Sequence, residues 1–182
     1  MRIIAGSHKG AAIRAPSGRD TRPTPDRVRE AIFNLVGPVD GMRVLDLFAG
    51  SGAMGLEALS RGAARAVLVD HDARACATVR QNLEKLGMGG AEVVRSDALR
   101  YLDADVRRCA RYDLIVIDPP YRLLPAILDR LGNALPRALA PGGRVIVETA
   151  RDLEPALSLP MSTSRCYGST RVTVFEAPVD HE

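Results

Sequence analysis

The chain has 182 residues, 46% of them hydrophobic and 26% charged, with 25 Lys+Arg against 22 Asp+Glu for a formal charge of +3. At this length roughly 70% of the unfolded surface can be buried, so one domain closes a core without metal or disulfide staples, and the disordered, collagenous and mini-protein classes are excluded. No apolar run approaches the roughly 20 residues of a membrane span and Met1 to Gly10 lacks the apolar stretch of a secretion signal, so the expectation is a cytoplasmic monomer with no membrane partner.

Charge concentrates at the start. Residues 1 to 30 hold Arg2, Lys9, Arg14, Arg19, Arg22, Arg27 and Arg29 against Asp20, Asp26 and Glu30, while the remainder is close to neutral. Within them Arg2 to Ala5 and Ala11 to Ala15 read as two short strands joined across Gly6-Ser7-His8-Lys9-Gly10, where two glycines supply the turn. A linker from Pro16 to Pro23 follows, and the expected division is a basic hairpin and linker over 1–22 ahead of one domain over 23–182. Thr24-Pro25 predicts a helix start, Thr24 as N-cap and Pro25 in the first turn, and Val28, Ala31, Ile32, Leu35 and Val36 carry the apolar face to about Val36.

From Arg43 the chain alternates β-branched runs with helical patterns. Val44 to Phe48, Ala66 to Asp70, Glu92 to Arg95, Leu114 to Ile117 and Arg144 to Glu148 are strands, the last after a Pro141-Gly142-Gly143 turn, and helices run to Arg61, to Leu86 and from about Pro125 to Ala138. This is the signature of an α/β fold with a parallel sheet covered on both faces. Thr163 to Tyr167 and Thr170 to Glu176, around Gly168-Ser169, predict an antiparallel hairpin closing the sheet. Cys76, Cys109 and Cys166 give neither a disulfide set nor a zinc spacing and read as small buried or half-buried side chains.

The chemistry gathers at strand ends. Gly50, Gly52 and Gly55 form GxGxxG between a strand and a helix, a spacing that serves adenosine-containing ligands in general. No Lys-Ser/Thr follows it, which excludes a triphosphate loop. Asp46, just before that loop, would repel a diphosphate and attract a net-positive ligand such as S-adenosylmethionine. Asp70 is placed to take ribose hydroxyls, and Ser96-Asp97-Ala98 sets another carboxylate in reach of an adenine amino group. After the fourth strand, Asp118-Pro119-Pro120-Tyr121 offers two acceptors, the Asp118 carboxylate and the Pro119 carbonyl, to orient an exocyclic amine, and an aromatic ring to stack on a base. His8, His71 and His181 have no metal-ligand spacing, and no metal is expected. Glu57 reads as a helix-face or loop-bracing carboxylate.

The run Asp46-Leu47-Phe48-Ala49-Gly50-Ser51-Gly52 with its helix, the Asp70 strand end, Ser96-Asp97-Ala98 and Asp118-Pro119-Pro120-Tyr121 resemble the class I S-adenosylmethionine-dependent methyltransferases. Arg2-Ile3-Ile4-Ala5-Gly6-Ser7-His8-Lys9-Gly10 and Arg22-Pro23-Thr24-Pro25-Asp26-Arg27-Val28-Arg29-Glu30 are similar to the bacterial 16S ribosomal RNA guanine-N2 methyltransferases that modify guanine 966. The resemblance implies a Rossmann-like fold with a seven-stranded, mostly parallel sheet, an antiparallel C-terminal hairpin and a small N-terminal hairpin extension. It also implies methyl transfer to a guanine N2 amine, with 16S rRNA or the small ribosomal subunit as partner. Arg22, Thr24, Asp46, Gly50, Gly52, Asp70, Asp97 and Ala98 would hold S-adenosylmethionine, and Asp118, Pro119 and Tyr121 the guanine. Asp70 stands where Glu is common in the family. The basic extension, with Arg2, Lys9, Arg14 and Arg19, suits phosphate contacts that fix position on RNA. Two other readings stay open: a methyltransferase for adenine N6 or cytosine N4 of DNA, and a nicotinamide-dinucleotide-binding module without chemistry.

Overall fold

In the computed structural model, which describes residues 1–16 and 24–179, helix α1 (Asp26–Val36) precedes β1 (Arg43–Asp46), α2 (Ala53–Ser60), β2 (Arg65–Asp70) and α3 (Ala73–Leu86). Then come β3 (Ala91–Arg95), α4 (Ala98–Arg107), β4 (Tyr112–Ile117), α5 (Leu124–Ala138), β5 (Leu139–Ala150), β6 (Met161–Tyr167) and β7 (Thr170–Glu176). The strands form one seven-stranded sheet in the order β3-β2-β1-β4-β5-β7-β6. β1 to β5 pair in parallel, whereas β7 inserts antiparallel between β5 and β6, Arg144 opposite Glu176 and Tyr167 opposite Thr170. This is the expected Rossmann-like α/β architecture, its order reversing beside β1 and β4, where such sheets open a ligand crevice at the strands' carboxyl ends.

Successive strand residues face opposite sides, so each apolar run feeds two cores. Leu45, Val67, Ile115 and Val145 pack under α4 and α5 with Leu102, Leu131 and Leu135. Their neighbours Val44, Leu68, Leu114 and Ile146 pack under α1 to α3 with Ile32, Phe33, Met54 and Val79. Helix ends follow local chemistry: Asp72 caps α3 by accepting from Arg74 N–H at 2.8 Å, and Gly87 closes it at φ 63°.

Four expectations change. The N-terminal strands reduce to one antiparallel bridge, Arg2 to Ala12, with Ile3 N–H donating to the Ala11 carbonyl at 2.9 Å. Far from standing apart, this segment buries Ile3 and Ile13 on Ala53 and Leu56 of α2, and Gly6 sits so close to the Ser60 carbonyl that a Cβ would lie 1.7 Å from its oxygen. The expected boundary at residue 22 lies outside the described residues. Thr24 is not an N-cap: Pro25 holds that position without a side-chain cap, and the Thr24 hydroxyl points elsewhere. Pro141-Gly142-Gly143 lies within β5, at a register irregularity against Tyr112 and Leu114, because a proline lacking N–H is tolerated where the ladder skips. Cys76 is buried as expected, but Cys109 and Cys166 are exposed.

Candidate active site

Past β1 the chain folds back over β2, with Phe48 and Ala49 N–H both donating to the Val69 carbonyl. Phe48 adopts φ 109°, a conformation costly for a side chain with a Cβ, so the loop is held in shape by its surroundings. Two carboxylates hold it, and a third braces the N-terminal segment against α2. Asp70 accepts from Gly50 N–H at 2.8 Å with one oxygen and from Asp72 N–H at 2.8 Å with the other. Asp46, 2% exposed, accepts from Gly55 N–H in the first turn of α2 at 3.1 Å. Burial, with Asp118 and Asp70 nearby, pushes Asp46 up to about 7. Glu57, fully buried, accepts from Ile4 and Ala5 N–H at 2.7 and 3.0 Å and from Arg61, which is the loop-bracing role expected of it.

The three glycines divide their work. A Cβ on Gly55 would lie 2.6 Å from Leu68 Cδ2, so Gly55 serves helix–strand packing. Gly52, at φ 78°, faces Val79 at 3.0 Å. Among the described residues beyond its chain neighbours, a Cβ on Gly50, at φ 54°, would meet nothing nearer than the Phe48 carbonyl oxygen at 4.0 Å, so these residues leave open space over it at the sheet's crevice. Such space admits a ligand against the loop backbone. Asp46 already takes the Gly55 N–H, a donor that would otherwise be free for a phosphate at the helix start.

At the end of β4 stands Asp118, and Thr24 Oγ1 lies 3.1 Å from its Oδ2 and also 3.1 Å from Glu148 Oε2 on β5. Thr24 and Glu148 are buried, 8% and 6% exposed. Burial raises Asp118 to about 6, against a lowering by the Thr24 hydroxyl. Burial and then the Asp118 charge raise Glu148 to about 8. Glu148 is a site residue that the sequence reading missed, although it closes an apolar run just as Asp70 and Asp118 do.

Pro119 is buried and Tyr121 is exposed, with its hydroxyl 3.3 Å from Thr170 Oγ1. Asp97 caps α4, accepting from Arg100 N–H at 2.9 Å, and Ala98 is buried behind it. The Ser96 N–H bond to the Asp70 carbonyl, 3.0 Å, keeps that corner beside the β2 end. Thus Thr24, Asp46, Gly50, Asp70 and Asp118 are brought together, with Asp97 one strand further out. Arg2, Lys9 and Arg14 are exposed on the N-terminal segment, and Arg2 pairs with Asp26 at 3.3 Å. Arg19 and Arg22 lie outside the described residues. A further missed residue is Asn82 of α3, whose amide donates to the Arg14 and Ser51 carbonyls at 3.0 and 3.2 Å and so ties the N-terminal segment to the glycine loop. Among the described residues no cluster of His, Cys, Asp and Glu could hold a metal, and no helix is long and apolar enough to cross a membrane.

Residues 1–176 match the protein-family model described as conserved hypothetical protein 95. The Bacillus subtilis (strain 168) protein YlbH is 42% identical over 183 residues, covering 97% of this chain and 98% of its own. Ribosomal RNA small subunit methyltransferase D of Escherichia coli (strain K12) is 42% identical over 123 residues, 67% of this chain but only 61% of that relative's length. Among solved structures, the Escherichia coli protein yhhF superposes with a TM-score of 0.82 at 32% identity, covering 99% of both chains.

Proposed function

The chain belongs to the conserved hypothetical protein 95 family, and from that membership and the chemistry of the crevice we propose that it methylates ribosomal RNA, transferring a methyl group from S-adenosylmethionine to the exocyclic N2 amine of a guanine in 16S rRNA. The observation that carries the reading is the carboxylate Asp118 with Pro119 and Tyr121 at the end of β4, next to a glycine loop at which the described residues leave open space over Gly50. The name of the Escherichia coli relative, a small-subunit rRNA methyltransferase, supports the substrate class.

The residues present suit the cofactor. Each carboxylate oxygen accepts more than one hydrogen bond, so Asp70 keeps capacity for ribose hydroxyls after bracing Gly50 and Asp72, and Asp97 keeps a second oxygen for an adenine amine. Gly50 and Gly52 let the backbone approach the ligand, with Thr24 near the reacting end and Ala98 lining the adenosine side. Arg22, outside the described residues, belongs to the same proposal. Bound, S-adenosylmethionine supplies an electrophilic methyl group on its sulfonium. Asp118 has Oδ2 engaged by Thr24, which leaves Oδ1 to accept one N–H of the target amine while the Pro119 carbonyl accepts the other. Holding both N–H groups turns the nitrogen lone pair toward the methyl and favours the pyramidal nitrogen of the transition state. Tyr121 stacks on the extruded base, its exposed ring steadied by the contact with Thr170.

Arg2, Lys9, Arg14 and Arg19 are proposed to contact RNA phosphates, Arg19 from outside the described residues. The DNA-base reading shares the Asp118 geometry. Purified protein incubated with labelled S-adenosylmethionine and either 16S rRNA from cells lacking the gene or duplex DNA separates the two, and label in DNA alone would reverse the proposal.

A further inference from the structure

A hydroxyl carries one hydrogen and can donate it to one acceptor at a time. Yet Thr24 Oγ1 lies 3.1 Å from an oxygen of Asp118 and 3.1 Å from an oxygen of Glu148. With both carboxyls ionised, one of these contacts would set two lone pairs against each other in a place where Thr24 and Glu148 are almost fully buried. Both contacts become hydrogen bonds only when one carboxyl is protonated and donates to Oγ1 while Thr24 donates to the other.

We propose that Thr24 joins Glu148 and Asp118 into a unit that holds one proton on Glu148, so that Asp118 meets the amine as a carboxylate and Glu148 acts as a positioning residue for the transfer. This rests on the methyltransferase reading only for the identity of the amine. The surroundings fix the direction. From β4, Glu148 faces Asp118; from the segment ahead of α1 it faces Thr24; β7 sets Val172 opposite it, with the neighbouring Arg171 paired to Glu154 at 3.3 Å. Beyond Asp118 lies a third acid, Asp46. Among the described residues, none of the ion pairs involves Asp46, Asp118 or Glu148, so no cation among those residues offsets a second negative charge. Glu148 is less exposed to solvent than Asp118 and keeps the proton, in keeping with values of about 8 for it and about 6 for Asp118.

The proton balance of the reaction follows. As the amine nitrogen bonds to the methyl carbon, the carbon–sulfur bond breaks with its electron pair left on sulfur, and the nitrogen then carries one proton too many. That proton passes to Asp118 Oδ1, giving a neutral carboxyl. The unit now holds two protons and returns one to solvent when product leaves. A Glu148 carboxylate would instead compete for the Thr24 hydrogen and push Asp118 out of register with the amine.

Two measurements on the full chain test this. Infrared spectroscopy without RNA should show a protonated carboxyl band at neutral pH that titrates away near pH 8 and is missing in Glu148→Gln, while a band from Asp46, titrating near 7, remains. In methyl transfer, the wild-type rate should fall at both ends of the pH range, about tenfold below its plateau one unit above the Glu148 midpoint, and Glu148→Gln should lose the alkaline limb but keep the acid one. Thr24→Val, which breaks the bridge without changing charge, should raise the Asp118 midpoint, whose carboxylate loses a donor, and lower that of Glu148, whose protonated form loses its acceptor, and serves if Glu148→Gln does not fold. An identical spectrum in wild type and Glu148→Gln, an alkaline limb unchanged in Glu148→Gln, or unmoved midpoints in Thr24→Val would overturn the shared proton. Because the infrared arm needs no substrate, a missing activity on rRNA would count against the proposed function alone.

Discussion

At the residue scale, the roles of Asp70 and Asp118 separate cleanly. Asp70 braces the glycine loop through Gly50 N–H, so Asp70→Ala should weaken S-adenosylmethionine binding by about 1.5 to 3 kcal/mol, losing both the ribose acceptor and the loop's shape. Calorimetry reads this directly, and unchanged affinity would remove Asp70 from the cofactor site. Asp118→Ala should bind cofactor nearly as well as wild type while losing most methyl transfer, because its partner amine arrives only with RNA. Tyr121→Ala should cost about 1 to 3 kcal/mol in RNA binding through lost stacking, whereas Tyr121→Phe gives up only the Thr170 contact and should be mild.

At the element scale, what the sequence made legible was whatever is written locally. β7 has the expected ends, and α3 ends at Gly87 as its pattern said, because alternation and caps are short-range signals. Glu148 was not legible as a partner of Asp118, since the Thr24 hydroxyl that joins them stands 94 residues from one and 124 from the other. The N-terminal segment shows the same limit. Its glycines and basic residues suggest a free arm, but Ile3 and Ile13 face α2, and Arg29, fully buried beside Glu57, donates to the Arg2 carbonyl. A structural role therefore comes first: Ile3→Ala should cost about 2 to 5 kcal/mol of stability in chemical denaturation, the range for an emptied core site. Lys9→Ala with Arg14→Ala removes only exposed charge, so melting should hold while the salt dependence of RNA binding drops by roughly one per lost contact. An unaltered salt slope would confine the segment to its structural role.

At the scale of the whole molecule, three acids at one sheet edge make stability depend on pH in an unusual direction. Asp46 and Asp118 rise from 3.8 to about 7 and about 6, and Glu148 from 4.5 to about 8. Each folded-state value lies above the unfolded one, so the folded chain holds more protons in between; this stabilisation is complete below the unfolded values and is lost as pH rises through the folded ones. The melting temperature should accordingly fall between about pH 5 and pH 8, and Asp46→Asn should flatten part of that slope. The same edge holds the open loop and the amine acceptors, so the groups that cost stability at neutral pH are those assigned to the reaction. The most direct test is mass spectrometry of 16S rRNA nucleosides after incubation of gene-deleted rRNA with S-adenosylmethionine and either wild-type protein or Asp118→Ala. N2-methylguanosine formed by the wild type and lost in the variant is the expected result; methyl groups on another nucleoside, or undiminished transfer by Asp118→Ala, would contradict the account.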